Sequence, residues 1–380
     1  MTTIYIASTE AFSGKTSLAI GLGKHFQRQG YAVGYIKPLT GDRGAGPGGH
    51  SASSGVSICS VQGTARVTDK GVVARKARFV REELGLSEAP EDIAPIAVDP
   101  ALLESVIRAP QEIDFRARLL AAYGRVAAGK DVVLVEGGDH PLEGSLIKLA
   151  APSVIELLDA RVIVVVRYND CRCIDVATGL HTFFGPRLMG VVVNAVPRRQ
   201  MRFVHDTARP LLEDRGVPVL AVMPEDRLLS SISVQELVEQ LHGEVVCCEG
   251  ETDELVEYLM VGAMTAGSAI TYFRQWPNKA VITGGDRYDV QLAALETSTR
   301  CLILTGNQPP SQEVIERARE VKVPIIVVEG DTLSTVRTVE RAFGRTYVRQ
   351  PRKMAHFSTI LDERFDFERM YKMLGLESFP

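Results

Sequence analysis

The chain has 380 residues, 45% of them hydrophobic and 24% charged, with a formal net charge of −4 at pH 7. This length exceeds the size at which one hydrophobic core keeps growing, so we expect two domains. The slightly acidic balance excludes the basic surface that is typical of binding to nucleic acid or to anionic membranes. No stretch reaches the roughly 18 uninterrupted apolar residues of a membrane span, and the N-terminus lacks the basic segment of a secretory signal, so we expect a cytoplasmic protein.

Short runs of β-branched residues alternate with segments of helical period, a pattern typical of α/β units around a parallel sheet. In the first part of the chain it predicts strands at 4–7, 33–36, 132–135, 162–166, 188–193 and 217–222. It also predicts helices near 16–29, 71–84, 111–128, 172–183 and 199–214. These elements predict a first α/β domain over residues 1–225, with a parallel sheet that carries helices on both faces.

A smaller set of similar elements follows a connector that we place at residues 226–250. The connector contains a predicted helix at 234–241 and a predicted strand at 244–247. Beyond it, the pattern predicts strands at 280–283, 301–305 and 324–328 and helices near 287–298, 311–321 and 332–343. We therefore expect a second, smaller α/β domain over residues 251–345 and a C-terminal tail, 346–380, with one helix near 366–374.

At the N-terminus, a predicted strand, a loop that ends in Gly14-Lys15-Thr16 and an amphipathic helix follow one another. This order is typical of a P-loop, in which backbone N–H groups of the loop and of the helix N-terminus face a phosphate. Lys15 would reach the outer phosphates, and the Thr16 hydroxyl would contact Mg²⁺. The strict pattern has Gly where this chain has Thr9, so a structural turn is the alternative to nucleotide binding.

Three further predicted strands end in residues suited to the same site, because ligands bind beyond the carboxyl ends of parallel strands. Lys37 follows the second strand, where it could neutralise a phosphoryl group or remain a solvated lysine. Glu136 precedes a Gly-Gly pair, as in a Walker B segment whose acid holds Mg²⁺; a strand-end glutamate before a turn is the alternative. Asn194 follows strand 188–193, where it could read the edge of a base or occupy a left-handed turn.

Residues 41–63 form a Gly- and Ser-rich stretch without apolar period, which predicts a flexible loop. Because the stretch follows a strand end beside the predicted phosphate site, it is either a mobile connector or a functional lid. Beyond the Gly-Gly pair after Glu136, Asp139 and His140 are weaker candidates for the site.

The six cysteines lack the paired C-x₂-C spacing of zinc sites, and no suitably spaced pair of histidines accompanies them. One residue separates Cys171 from Cys173, and Cys247 and Cys248 are adjacent. We interpret these cysteines as structural free thiols rather than as a metal or redox site.

As a set, these motifs resemble dethiobiotin synthetase and its relatives, which include cobyrinic acid a,c-diamide synthases and the N-terminal domain of long phosphotransacetylases. The resemblance covers roughly residues 1–225, and this family has threonine at the position of Thr9. It implies ATP and Mg²⁺ as cofactors and a P-loop NTPase-type fold. The nucleotide-binding residues it implies are Thr9, Ser13, Gly14, Lys15, Thr16 and, for adenine, Asn194. Lys37 would contact the transferring phosphate or the substrate, and Thr16 and Glu136 would hold Mg²⁺, so that Lys15, Lys37 and Glu136 form the catalytic set.

The second domain resembles the DRTGG domain through three segments in the right order, at 281–287, 304–307 and 331–335. Asp286 and Asp331 are suited to cap the helices that follow them, which is a structural interpretation. The resemblance implies instead that these strand ends form a regulatory ligand pocket or a dimer contact. The order of the two domains resembles the front part of long phosphotransacetylases, without room for the acetyltransferase domain.

We therefore expect a regulator that binds Mg²⁺ and ATP, responds to a nucleotide or metabolite and forms a homodimer. The alternatives are an ATP-dependent ligase that forms an amide or a ring on an unidentified small carboxylate, and an ATPase switch. The family's acidic residues after the second strand have no clear counterpart here, since Asp69 is followed by Lys70 and a basic helix. This departure favours regulation over turnover, whereas an intact set of Lys15, Thr16 and Glu136 favours chemistry.

Overall fold

The computed structural model of the chain describes residues 1–41, 78–109, 113–343 and 350–377. These residues form two compact units, the first built from Met1–Pro224 with Arg349–Pro380 and the second from Glu225–Val348. The predicted flexible loop lies almost entirely outside the described residues, as does most of the helix predicted near 71–84. The end of that helix is described, as helical residues 78–83.

The strands of the described residues, numbered in chain order, are β1 (Thr2–Ser8), β2 (Val33–Ile36), β3 (Leu39–Gly41), β4 (Ile96–Val98), β5 (Val132–Glu136), β6 (Arg161–Arg167), β7 (Leu188–Val196), β8 (Val219–Pro224), β9 (Ile232–Ser233), β10 (Glu244–Cys247), β11 (Leu255–Val256), β12 (Tyr258–Val261), β13 (Lys279–Gly284), β14 (Thr299–Thr305) and β15 (Ile325–Val327). Besides the helical residues 78–83, the α-helices of the described residues are α1 (Lys15–Arg28), α2 (Pro90–Ile93), α3 (Pro100–Arg108), α4 (Phe115–Ala127), α5 (Ala151–Leu157), α6 (Arg172–Phe184), α7 (Met201–Phe203), α8 (Arg209–Asp214), α9 (Arg227–Ser230), α10 (Val234–Leu241), α11 (Ala266–Phe273), α12 (Tyr288–Leu295), α13 (Gln312–Val321), α14 (Thr332–Ala342), α15 (Pro351–Arg364) and α16 (Phe367–Leu374).

The first unit is built on a six-stranded sheet in the order β2-β5-β1-β6-β7-β8, in which all neighbours are parallel. This confirms the predicted parallel sheet and its six strands, although β8 begins two residues later than predicted. The central strands are buried on both faces, as expected when helices cover both sides of a parallel sheet. Tyr5 packs into the core on one face, whereas Leu134 lies against Gly23 of α1 on the other.

The helix predicted near 199–214 is present but irregular. A 3₁₀ turn at Arg198–Gln200 leads into α7, and a π-helical turn at Val204–Ala208 joins α7 to α8. Pro210 lies in the first turn of α8 and has no N–H to donate to the preceding turn, which accounts for the widened ladder.

Several short elements of the first unit were not predicted: the parallel pair β3–β4 and helices α2, α3 and α5. The C-terminal segment also differs from the prediction of a tail with one helix, because α15 precedes the predicted helix α16 and both belong to the first unit. A Cβ at Gly21 of α1 would lie 2.6 Å from Leu361, so glycine permits α15 to pack closely on α1. Arg369 of α16 forms a bidentate ion pair with Glu213, with N–O distances of 2.7 and 2.8 Å.

The second unit is a smaller mixed sheet in the order β10-β15-β14-β13-β12. The last four strands are parallel neighbours, and β10 pairs antiparallel with β15 at one edge. Separate apolar clusters cover its two faces, one that includes α11, α12 and α13 and one that includes α10 and α14. This confirms a second, smaller α/β domain.

Within the part of the chain that the structure describes, no helix is long and apolar enough to cross a membrane.

Candidate functional site

The predicted site residues converge at the carboxyl edge of the first sheet, because β1, β2, β5 and β7 all run in the same direction. The loop that leads to α1 follows β1, and Lys37 follows β2 directly. Glu136 is the last residue of β5, which lies between β1 and β2. Asn194 lies near the end of β7.

The turn into α1 has the geometry of a phosphate-binding loop. Gly14 precedes the helix with φ of +102°, a left-handed conformation that favours glycine. The Asn194 amide N–H donates to the Ser13 carbonyl over 2.7 Å, while its oxygen accepts from the Ala195 N–H over 2.9 Å. A Cβ at Gly14 would lie 2.5 Å from the Asn194 amide nitrogen, so side-chain packing also requires glycine there.

Lys15, the first residue of α1, is folded back against the end of β1. Its Nζ donates to the Ser8 Oγ over 2.6 Å and to the Glu10 carbonyl over 3.2 Å, and it lies 3.5 Å from the Asp139 Oδ1. Only 4% of the residue is exposed. Burial lowers the pKa of Lys15, and the Asp139 carboxylate opposes this effect only in part.

Glu136 lies at the centre of the site and contacts three other side chains. The Thr16 hydroxyl donates to its Oε1 over 2.9 Å, the Lys37 ammonium forms an ion pair with the same oxygen, and the Tyr35 hydroxyl donates to its Oε2 over 2.7 Å. The carboxylate therefore connects the helix that starts at the loop with the two residues from β2 and its end.

The charges of Glu136 and Lys37 depend on one another because Glu136 is buried and Lys37 has little exposure to water. Burial alone would raise the pKa of Glu136, but the Lys37 charge and the hydrogen bonds from Lys37 and Tyr35 hold it below its ordinary value. Burial alone would lower the pKa of Lys37, but Glu136 outweighs this effect and raises it. Burial and the nearby Glu136 charge raise the pKa of Tyr35 well above its ordinary value, so the phenol stays a hydrogen-bond donor.

The two glycines after Glu136 allow a close turn. A Cβ at Gly137 would lie 2.6 Å from the Tyr5 hydroxyl, and one at Gly138 would lie 2.4 Å from a Glu143 carboxylate oxygen. That oxygen accepts the Asp139 N–H over 2.6 Å, so the turn sets the position of Asp139 beside Lys15.

Ser13 has a buried hydroxyl that lacks a hydrogen-bond partner within the described ranges. The residue is 1% exposed, and its hydroxyl has no hydrogen-bond partner among the described residues. A buried hydroxyl without a partner is costly in a folded protein, whereas a phosphate oxygen at the loop would satisfy it. Thr9, half-buried, comes directly after β1 at the other end of the loop.

The donor set fits Mg²⁺ only in part. Among the described residues, no group of three or more His, Cys, Asp or Glu side chains is placed to hold a metal ion. Thr16 and Glu136 supply oxygen donors, and Mg²⁺ commonly binds one or two carboxylates while phosphate oxygens and water complete its shell. These two residues therefore suit Mg²⁺ when it arrives together with a nucleotide phosphate.

The structure thus brings together Lys15, Thr16, Lys37 and Glu136, and places Ser13, Gly14 and Asn194 in one hydrogen-bonded turn. His140 instead accepts the Leu142 N–H over 3.2 Å within its own loop. Sequence reasoning missed Tyr35 and Ser8. The signal for Tyr35 was its place two residues before Lys37, since alternate residues of a strand share a face.

Comparison with known proteins agrees with this division of the chain. Residues 2–233 match the family model described as an AAA domain, and residues 236–342 match that of the DRTGG domain. The phosphate acetyltransferase of Synechocystis sp. is 22% identical over 389 residues, which cover 98% of this chain and 51% of the relative. That of Pseudomonas aeruginosa is 23% identical over 405 residues, covering 99% and 52%.

A further relative matches a shorter part of the chain. The ATP-dependent dethiobiotin synthetase BioD of Methanococcus vannielii is 23% identical over 235 residues, which cover 59% of this chain and 94% of the relative. These matches confirm the predicted resemblance to a dethiobiotin synthetase-like P-loop domain followed by a DRTGG domain. The chain spans about half the length of the phosphate acetyltransferases that it matches.

Proposed function

This chain belongs to the AAA domain family, with a DRTGG domain after its P-loop domain, and we propose that it binds ATP with Mg²⁺ and serves as a nucleotide-responsive regulator. The observation that carries the proposal is that Thr16 and Lys37 both contact Glu136 at the start of α1, where Lys15 lies against Asp139. Buried cations, a buried hydroxyl at Ser13 and a helix N-terminus at one point of the sheet edge together suit a polyphosphate.

In this proposal the phosphates bind over the loop from Ser13 to Thr16. Lys15 exchanges its contacts with Ser8 and Glu10 for outer phosphate oxygens, which provide charge that the neutral acceptors do not. Asn194 keeps the loop in place and recognises adenine, since its amide has two N–H donors and two acceptor lone pairs. One N–H donates to the loop at Ser13 and one lone pair accepts from Ala195, which leaves one of each for the base.

Thr16 and Glu136 are the residues that would hold Mg²⁺, which when bound would neutralise charge on the phosphate oxygens. The Glu136 Oε1 cannot bind a metal ion and keep its full ion pair with Lys37 at the same time. Lys37 would then turn from Glu136 toward the phosphate or a second substrate.

A second candidate function is an ATP-dependent ligase on a small carboxylate, or an ATPase. The observation in its favour is that the sheet edge carries two lysines, each beside a carboxylate: Lys37 pairs with Glu136, and Lys15 lies 3.5 Å from Asp139. The predicted homodimer also stays a prediction, and sedimentation of the full chain with and without ATP would check it.

Calorimetric titration of the full chain with ATP, with and without Mg²⁺, tests nucleotide binding. Charge-assisted hydrogen bonds are worth about 1.5–3 kcal/mol, so Lys15→Ala should bind ATP about 10- to 150-fold more weakly. Lys372→Ala, which removes an exposed lysine of the same unit, is the matched control and should leave the affinity unchanged. Absence of binding by the unmodified chain, or equal affinity of Lys15→Ala, would contradict the proposal.

The metal role has its own test. Glu136→Gln should weaken binding of ATP with Mg²⁺ much more than binding of metal-free ATP, and equal effects would remove the metal role from Glu136. Release of ADP in the absence of any added carboxylate would favour the ATPase, and release that requires a carboxylate would favour the ligase.

A further inference from the structure

The sulfur atoms of Cys247 and Cys248 lie closer together than those of neighbouring cysteines in a regular strand would. Adjacent side chains of a regular strand point to opposite faces, which would hold the two sulfurs apart. Here the two Sγ atoms are 3.2 Å apart.

Two backbone features bring the sulfurs to the same side. The pairing of β10 with β15 shifts register between Val245 and Cys247, and Cys248 has φ of +58°, which residues with a side chain rarely adopt. Both thiols then point at one helix, α13, where the Cys247 Sγ lies 3.8 Å from the Ile315 carbonyl oxygen and the Cys248 Sγ lies 3.6 Å from that of Ala318. The local fold therefore pairs two thiols that the sequence pattern alone would separate.

We propose that Cys247 and Cys248 form a dithiol site that a small-molecule disulfide, such as glutathione disulfide, oxidises reversibly to a disulfide between the two adjacent residues. Cys248 is the half-buried member and Cys247 is buried, so Cys248 is the first to react. This inference is independent of the nucleotide site and replaces the interpretation of these two cysteines as purely structural.

The chemistry balances as two successive exchanges. The Cys248 thiolate attacks one sulfur of the small disulfide, forms a mixed disulfide and releases one small thiolate. The Cys247 thiolate then attacks the Cys248 sulfur and expels the second small thiolate. Two cysteine thiols are oxidised, one small disulfide is reduced to two thiols, and the two cysteine protons pass to the leaving thiolates.

Two physical features set the character of this site. Neighbouring Cα atoms are about 3.8 Å apart, below the roughly 4.4–6.8 Å usual for a disulfide, so the closed ring is strained and easily reduced. Burial and the contact with Cys247 raise the pKa of Cys248 to about 12, with Glu251 adding to the rise and Arg319 opposing it. The first exchange, in which the Cys248 thiolate attacks, is therefore slow at neutral pH and accelerates as the pH rises.

Mass spectrometry of the full chain after incubation with glutathione disulfide tests the proposal. Trypsin leaves residues 228–274 as one peptide that contains both cysteines and no others. We expect this peptide to lose about 2 Da, to lose its reactivity with an alkylating reagent and to recover both after treatment with dithiothreitol. An unchanged peptide, or one that carries only bound glutathione, would overturn the proposal.

Two variants serve as controls. Cys248→Ser should abolish the mass loss in this peptide, and the loss should persist in Cys171→Ser, which removes an exposed thiol of the other unit. A loss of 2 Da in the Cys248→Ser peptide would show that the oxidation is at another group and would also refute the assignment.

Discussion

The ion pair between Lys37 and Glu136 gives the most direct test of the site's geometry, through the variant Lys37→Met. The side chains of Lys37 and Glu136 are 13% and 3% exposed. Methionine keeps the approximate length of the apolar stem and removes the charge, which leaves a buried carboxylate with the hydrogen bonds of Tyr35 and Thr16. Loss of one partner of a buried pair typically costs about 3–5 kcal/mol, because the remaining charge stays desolvated.

We therefore expect Lys37→Met to lower the free energy of unfolding of the first unit by about 3 kcal/mol at pH 7. Because the folded pKa of Glu136 lies below its ordinary value of 4.5, its stabilising contribution is present above that pH and is lost as pH falls through the folded pKa. The contribution of Lys37, whose folded pKa is raised above 10.5, is present below that value and lost as pH rises through the folded pKa. The difference in the free energy of unfolding between the unmodified chain and Lys37→Met should thus be largest between the folded pKa values of Glu136 and Lys37, and it should shrink at acid pH.

Hydrogen exchange of the β1 and β5 amides is the suitable assay, since it reports the stability of the first unit by itself. Arg108→Met is the control: it breaks the ion pair with Glu104, in which the two side chains are 76% and 61% exposed, and should cost at most about 1 kcal/mol. In the double variant Lys37→Met/Glu136→Gln, most of the loss should be recovered because position 136 no longer carries a buried charge without its partner. A cost for Lys37→Met no larger than that of the control, or a double variant no more stable than the single one, would refute the buried pair.

Three further substitutions test other parts of the structure. Tyr35→Phe removes the 2.7 Å hydrogen bond to Glu136 and should lower the stability of the first unit by about 1.5–3 kcal/mol in the same exchange assay; no change would mean that water replaces the phenol. Gly14→Ala combines a left-handed backbone with a clash against Asn194 and should weaken ATP binding in calorimetry by at least about tenfold, an effect that unchanged affinity would contradict. Ser233→Ala removes the capping box of α10 and should cost the second unit about 1 kcal/mol by thermal denaturation; a melting temperature equal to that of the unmodified chain would show that the cap is dispensable.

Long apolar runs made the first sheet predictable. A segment such as 132–135 is buried on both faces of a parallel sheet, so its sequence is continuously β-branched or leucine and cannot be confused with a solvated loop. The strand ends were predictable for a related reason, because the topology of such sheets collects them at one edge. Lys37 and Glu136 meet there through this general rule.

Elements held by tertiary contacts were harder to predict. Helix α15 begins at a proline and buries Met354, Phe357 and Leu361 at helical spacing, yet polar residues between them mask the period. The pair β3–β4 joins strands of three residues that are more than fifty residues apart in sequence, a length at which no pattern is informative. The sequence did not predict the bulge that brings the sulfurs of Cys247 and Cys248 together, because a bulge leaves no periodic signal in the sequence.

The arrangement around Glu136 also bears on how metal and nucleotide would bind. Glu136 is buried and the side chain of Lys37 is only 13% exposed, so each needs a partner in every state of the site. A metal at Glu136 alone would leave Lys37 without its carboxylate, and a phosphate alone would draw Lys37 away and leave Glu136 with uncharged donors only. With both bound, Glu136 would hold the metal ion and Lys37 would contact the phosphate, so neither charge would be left without a partner. In the proposed function, Mg²⁺ and ATP should therefore each raise the affinity for the other, and by the same factor, since coupling between two bound ligands is reciprocal.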